Sequence, residues 1–213
     1  MKRVVIYGAG ALAREVVGHH QAMAANRDVD FEFVGYFSDS GPDASFENET
    51  GLPFIEAAGQ STLSQCAFLV CIADPAGRQA VTERILQAGG SLTSYVHPTA
   101  IVLKSARVAE GCIFFPHVVV SANARVGRGV VINSYSGVGH DVVIGNFTTI
   151  SAQVDLMGHV QIGHSCFFGS GARVVPGKKI GNACQVGVGV AVIKSLQDGV
   201  TVLPQPNKVM RFE

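Results

Sequence analysis

The chain has no excess of charge of either sign, no closely paired cysteines and no long apolar run. Its sixteen basic and sixteen acidic residues cancel over 213 positions, so it lacks the cationic surface with which nucleic-acid and membrane-surface binders meet their partners. Neither a nucleic acid nor a membrane is expected as a partner, and an anionic ligand has to be held by local groups. Five cysteines, at 66, 71, 112, 166 and 184, form no C-x-x-C pair and leave one over. That pattern fits reduced, buried thiols and argues against a zinc cluster or a disulfide framework. The opening MKRVVIYGAG breaks its apolar run at glycine, too early for a membrane span and without the pattern of a signal peptide, so a cytoplasmic protein is expected. What is present is 47% hydrophobic and 15% charged residues, the composition of a compact globular chain with one large domain or two small ones.

Two segments with different patterns follow one another, and residues 1–92 and 93–213 are expected to form separate domains. In the first, RVVIYG, FEFVGYF and AFLVCIA alternate with ALAREVVGHHQAMAA and AGRQAVTERILQAGG. Short β-branched runs between helical stretches predict a small parallel sheet in an α/β, Rossmann-like arrangement. The first strand runs into Gly8-Ala9-Gly10-Ala11-Leu12-Ala13, a G-x-G-x-x-A turn that brings backbone N–H groups at a helix start toward a phosphate. The same residues also make a merely tight strand-to-helix turn. A full dinucleotide site is disfavoured, because the unit is short and Phe37-Ser38-Asp39 is offset from the usual ribose-binding acid.

From Val96 onward every sixth residue as far as Val192 is apolar, seventeen in succession. With about half the chain hydrophobic, such a run arises by chance on the order of once in several hundred thousand. The residue two places before each is small or β-branched, Lys178 excepted, and glycine often follows, at 127, 139, 145, 163, 169, 181 and 187. A period of six belongs neither to a strand nor to a helix, which repeat at 2 and 3.6. It describes a solenoid in which each hexad is a short strand plus a corner, the aliphatic fills the interior, and glycine permits tight or positive-φ corners. Three hexads close one coil, and the general rule for parallel crossovers favours a right hand.

Hexads of the form aliphatic-Gly-x-x-small-x resemble those of the hexapeptide-repeat acyltransferases, which implies a left-handed parallel β-helix instead. The G-A-G-x-x-A segment followed by this solenoid, with GHDVVIGNF at its centre, resembles the branch that acetylates nucleotide-linked amino sugars or sialic acid. The resemblance implies acetyl-CoA as cosubstrate, a homotrimer, and N-acetylation of a UDP-, GDP- or dTDP-linked 4-amino sugar of the perosamine or bacillosamine kind. O-acetylation of a sugar hydroxyl is the alternative. His140 at a corner is by itself a solvated histidine or a base. A neutral imidazole suits proton removal from an attacking amine, and an adjacent carboxylate, Asp141, suits orientation of the ring. The family match implies that His140 is the general base, that Asp141 orients it, and that the N–H of Gly158, 18 residues on, stabilises the thioester oxygen.

The same resemblance implies that acetyl-CoA lies between neighbouring solenoids, along Gly158, Gly169, Ser170, Gly187 and Val188, with Lys208 at a phosphate. Position 149, a second active-site histidine in some relatives, is Thr149 here. The nucleotide-linked sugar would meet Gly8, Gly10 and Ala11, with Ser38 and Asp39 near base or ribose. Ala73 and Asp74 would line the same strand ends, and Arg78 either meets a phosphate or is a solvated helix residue. A metal enzyme is a further reading. His159 and His164 have the spacing of the zinc pair in solenoid carbonic anhydrases, but the third ligand would fall at Asn123, so no metal is expected. A non-catalytic scaffold carrying a nucleotide sensor is the remaining alternative. Cys112, Cys166 and Cys184 occupy interior small-residue positions, which leaves direct attack without an acyl-enzyme.

Overall fold

The computed structural model describes residues 2–24, 31–56 and 66–205. Four parallel strands, β1 (Lys2–Tyr7), β2 (Phe31–Phe37), β3 (Ala67–Val70) and β4 (Ser91–Leu92), form one sheet in the order β2-β1-β3-β4. Val4 to Tyr7 are all buried, as the uninterrupted β-branched run requires of a strand covered on both sides. Helices α1 (Ala11–Ala24) and α3 (Pro75–Gln87) fall where the sequence places them. Helix α2 (Ala44–Thr50) does not appear in the sequence reading. Asp43 caps it by accepting from Phe46 N–H, and Gly51 closes it at φ 72°. The unit is a small parallel sheet with three helices among the described residues, smaller than a doubly wound dinucleotide fold. Among the described residues no helix is long and apolar enough to cross a membrane.

The solenoid begins at Tyr95–Val96 and consists of two-residue strands at six-residue intervals. Strands pair in parallel with those 18 residues away, for example Val131 with Ile113 and Gly137 with Val119. Three flat faces result. The first carries Ile113–Phe114, Val131–Ile132, Thr149–Ile150 and Phe167–Phe168. The second carries Ile101–Val102, Val119–Val120, Gly137–Val138 and Asp155–Leu156, and the third Arg107–Val108, Arg125–Val126 and Val143–Ile144. The coils form a left-handed parallel β-helix, against the general crossover rule. Phe114, Ile132, Val138, Ile150, Leu156 and their sixth-residue companions fill the interior. Val96 departs from that pattern at 43% exposed, because its strand ends its sheet and no coil covers it.

The role expected of the repeat glycines is corrected in one respect. Those that follow the aliphatics do not hold the positive-φ corners. They allow coils to approach: a Cβ on Gly145 would lie 2.5 Å from the Gly163 carbonyl carbon, and one on Gly139 2.8 Å from Leu156 O. The left-handed conformation comes two residues later, and at nine of the described positions, Asn123, Asp141 and His159 included, it is adopted by non-glycine residues at φ between 52° and 61°. Such residues are held there only by the surrounding ladder of hydrogen bonds, here bonds such as Asp141 N to Ala122 O and His159 N to His140 O.

The sheet and the first face share one core, in which Val4, Ile6 and Val16 pack with Tyr95, Ile113, Phe115 and Val131. Arg78 locks the junction. It is neither solvated nor available to a phosphate, because its side chain is wholly buried and all five N–H donors are spent. Nε donates to Gly129 O at 2.8 Å, Nη1 to Ile72 O and Ala73 O at 2.6 and 2.9 Å, and Nη2 to Phe147 O and Thr149 Oγ1 at 2.7 and 2.8 Å. Burial pulls its pKa down to about 10 while Asp74 pushes it back, so it remains a cation at neutral pH.

Candidate active site

His140 lies at the corner between the second and third faces, where the chain turns after Gly137–Val138. Its Nδ1 is 2.8 Å from Asp141 Oδ2. Asn123, one coil earlier on the same edge, donates its amide to Asp141 Oδ1 at 3.2 Å. His159, one coil later, brings Nδ1 to 4.0 Å from Asp141 Oδ2, and its ring meets that of His140 edge-on at 4.8 Å. The hydrogen bond from His140, then that from Asn123, holds the Asp141 carboxyl below the usual carboxylate range, with smaller help from the charges of His159 and His140. An ionised Asp141 accepts the Nδ1 proton, which places the imidazole lone pair on Nε2.

That nitrogen lies over Gly158. A Cβ at 158 would stand 2.5 Å from His140 Nε2 and 2.7 Å from Cε1, so only glycine leaves the ring its place. The Gly158 N–H has no hydrogen-bond partner among the described residues. An unengaged base atom and an unengaged backbone donor therefore stand side by side on one exposed edge, the pair that addition of an amine to a carbonyl requires. Asn123 and His159 were not recognised from sequence as parts of this site. Their signal is the 18-residue step 123, 141, 159, which places all three on one edge. His164 is not among them: its Nδ1 accepts from Asn146 N at 3.0 Å, on a different corner from His159. Among the described residues, the three groups that do gather ligand atoms within 4.8 Å of one another are His140, Asp141 and His159.

A second concavity, of about 570 Å³, opens at the C-terminal ends of the parallel strands and is lined by Gly8, Gly10, Ala11, Ser38, Asp39 and Ala73, with Tyr7, Pro42 and Asp43 among others. Gly8 adopts φ 114°, and a Cβ there would lie 2.8 Å from Cys71 O, so the turn needs glycine on both counts. Asp39 accepts from Tyr7 Oη at 2.6 Å and from Arg84 Nη2 at 2.9 and 3.0 Å. Asp74 is not part of this cavity. Its carboxylate caps α3, accepting from Gly77 N at 2.7 Å.

No protein-family model and no curated protein matches the chain. Solved structures do. The perosamine N-acetyltransferase from Caulobacter crescentus, in complex with CoA and GDP-perosamine, superposes with a TM-score of 0.85 at 27% identity, over 100% of this chain and 98% of that one. The acetyltransferase domain of PglB from Neisseria gonorrhoeae, in complex with acetyl coenzyme A, gives 0.80 at 25% identity, over 98% and 99%. WeeI from Acinetobacter baumannii, at 22% identity and a TM-score of 0.81, shares the fold over 99% and 100%. Over its whole length the chain is similar to these sugar acetyltransferases, in keeping with the family that its hexads resemble. As an acyltransferase it has no accessible nucleophile among the solenoid cysteines. Cys112, Cys166 and Cys184 are fully buried, and burial pushes the Cys112 and Cys166 thiols up to about 12 and about 11.

Other expected contacts of this acetyltransferase are distributed over two edges. Gly169, Ser170, Gly187 and Val188 form two successive steps of the corner between the first and second faces, whereas Gly158 lies on the corner beyond the second face. One chain does not bring them together. Gly169 and Gly187 sit hard against the next coil, where a Cβ would meet Val188 N at 2.7 Å and Pro204 Cδ at 2.8 Å. Lys208 lies outside the described residues. Thr149 is buried on the first face with its hydroxyl committed to Arg78 and Ala73 O, so it takes no part at His140.

Proposed function

We propose that this acyltransferase moves the acetyl group of acetyl-CoA to the amine of a nucleotide-linked 4-amino sugar, with His140 as general base. The observation that carries the reading is the His140–Asp141 pair at 2.8 Å with Nε2 left free above Gly158. Acetyl-CoA supplies the activated acyl carbon. Nε2 takes the proton from the attacking amine as the new C–N bond forms, the Gly158 N–H meets the negative charge gathering on the carbonyl oxygen, and Asp141 steadies the imidazolium. The proton then leaves with the thiolate of CoA.

The cavity at the strand ends supports a nucleotide-linked substrate, in keeping with the GDP-perosamine and CoA bound by the Caulobacter neighbour, and it ranks a free-sugar O-acetylase second. It also supports assembly. Ala11, Leu12 and Ala73 line both that cavity and a smaller one formed with Val131, Asn133 and Thr149 of the first face. The His140 corner lies between the other two faces, across the prism. A substrate held at the strand ends therefore reacts at His140 of another chain. The second face, with Ile101 55% and Val119 38% exposed and Tyr135 63% exposed at its corner, is the apolar surface to turn inward. Three chains arranged so in a homotrimer bring the Gly158 corner of one against the Gly169–Val188 corner of the next, where one acetyl-CoA reaches both.

The test is thiol release from acetyl-CoA with UDP-, GDP- and dTDP-linked 4-amino sugars, run beside His140→Ala. Release with one of them, abolished in the variant while nucleotide-sugar binding persists, is expected. Release with sialic acid alone would move the activity to hydroxyls, and an unimpaired variant would remove His140 from the chemistry.

A further inference from the structure

His159 is the member of the reactive edge that acetyl transfer leaves without a task. Two imidazoles there share one carboxylate. Asp141 Oδ2 has His140 Nδ1 at 2.8 Å and His159 Nδ1 at 4.0 Å, while Oδ1 is held by the Asn123 amide at 3.2 Å. Proton removal from an amine needs one imidazole and its carboxylate. The second imidazole, facing the same oxygen, completes a different constellation of two nitrogens and one oxygen. Among the described residues this is the one group of three such side chains whose ligand atoms lie so close together, and no cysteine belongs to it.

Zinc and the neighbouring divalent transition metals take imidazole and carboxylate at about 2.0–2.1 Å in a tetrahedron, which sets two ligand atoms about 3.3 Å apart. The two separations at Asp141 Oδ2 stand on either side of that value, and each has to change by only roughly 0.5–0.7 Å. The side chains lie at the surface and can make the change. Their attachment points are fixed: Asp141 and His159 occupy left-handed corners at φ 58° and 61°, each pinned by a 3.0 Å backbone hydrogen bond, to Ala122 O and His140 O. Three protein ligands leave a fourth position to water, and an edge that has to admit substrate also admits an ion.

Occupation would change the base. A neutral imidazole has one free lone pair. If His140 Nδ1 gives its lone pair to a metal, the Nδ1 proton goes to water and one is taken up at Nε2, with no net change of charge on the ring. The nitrogen above Gly158 turns from acceptor into donor and can no longer take the proton of an attacking amine.

We propose that His140, Asp141 and His159 form a binding site for zinc or a similar divalent transition metal, and that the bound ion inhibits the enzyme by moving the His140 proton to Nε2. The inhibition rests on the acetyl-transfer reading above, whereas the binding does not. Equilibrium dialysis of the full-length, untagged protein against zinc, with the visible absorption of cobalt(II) as a second readout, is compared between the unaltered chain and His159→Asn. Asparagine keeps the His140–Asp141 pair and suits the corner, as Asn123 does at φ 60°. One ion per chain is expected, and removal of one ligand should raise the zinc Kd about 100-fold or more. Transfer is followed in parallel as amide product, because the thiol of CoA itself binds zinc, with each protein referred to its own metal-free rate. In the unaltered enzyme the rate should fall along the dialysis isotherm and return with EDTA; in His159→Asn the fall should move to higher zinc by the same factor as the Kd. A chain that binds no zinc, or a Kd that His159→Asn leaves unchanged, would overturn the proposal. Full rate with the site filled would overturn it as well, and would take His140 out of the chemistry. An unaltered enzyme inactive on every amino-sugar nucleotide would remove the acetyl-transfer reading and the inhibition together, and dialysis alone would then decide the site.

Discussion

A methyl group at Gly158 would stand 2.5 Å from His140 Nε2, closer than any non-bonded pair tolerates, and the imidazole, 60% exposed, has open solvent into which to swing. Gly158→Ala is therefore expected to cost little stability and much rate: on the proposed mechanism the ring leaves both Asp141 and the amine it deprotonates. A loss of about 100-fold in kcat is expected for a misplacement of this size, with the thermal midpoint close to that of the parent, and steady-state kinetics beside calorimetry check both. A variant that loses its fold instead would show that 158 is glycine for the solenoid's sake alone. His140 and Asp141 were legible in the sequence because they are adjacent and of complementary chemistry. Asn123 and His159 were not, since each reaches Asp141 only through a full coil.

Helix α3 is hydrogen-bonded to the solenoid through the Arg78 side chain, which donates to the carbonyls of Gly129 and Phe147, 51 and 69 residues away, and to the Thr149 hydroxyl. Arg78→Met fills the volume but leaves Gly129 O, Phe147 O and Thr149 Oγ1 buried without that donor, and is expected to destabilise the protein by about 3 kcal/mol or more, readable as a lowered thermal midpoint. Carbonyls carry no sequence signature, which is why Arg78 read as a phosphate ligand or a solvated residue. The six-residue period was legible throughout because each coil repeats one geometry, whereas α2, seven residues that bury only Phe46 and Thr50, is too short to show an apolar period and is marked in the sequence only by its Asp43 and Gly51 caps. Helix α1 contributes a pH dependence. His20, buried against Phe31 and Phe33 with Nδ1 unpartnered among the described residues, has its pKa lowered by loss of solvent. Below pH about 6.5 the unfolded chain takes up a proton that the folded chain refuses. Stability therefore falls as pH drops from 6.5 to the lower folded value, and levels off beneath it. Urea unfolding at several pH values should show that slope in the parent and a shallower one in His20→Phe.

At the scale of the whole molecule, the first face packs against the N-terminal unit and the His140 corner lies on the opposite edge, so the function proposed above requires a site completed by a second chain. Mixed assemblies test this without any structure of the complex. Gly10 lines the strand-end cavity, and a Cβ there meets nothing within 4 Å, so Gly10→Glu is expected to fold normally while placing a bulky carboxylate where the nucleoside sits. His140→Ala leaves that cavity intact and removes the base. Each variant alone is expected to be inactive. Unfolded together in equal amounts and reassembled at random, the two chains form rings in which each site takes its cavity from one subunit and its histidine from the next. A site works only when the cavity comes from a His140→Ala chain and the histidine from a Gly10→Glu chain, half times half, so activity recovers to about a quarter of that of the reassembled parent. If both parts of the site came from one chain, no mixture would recover anything, and the cavity at the strand ends would have to serve some purpose other than presenting the substrate to His140.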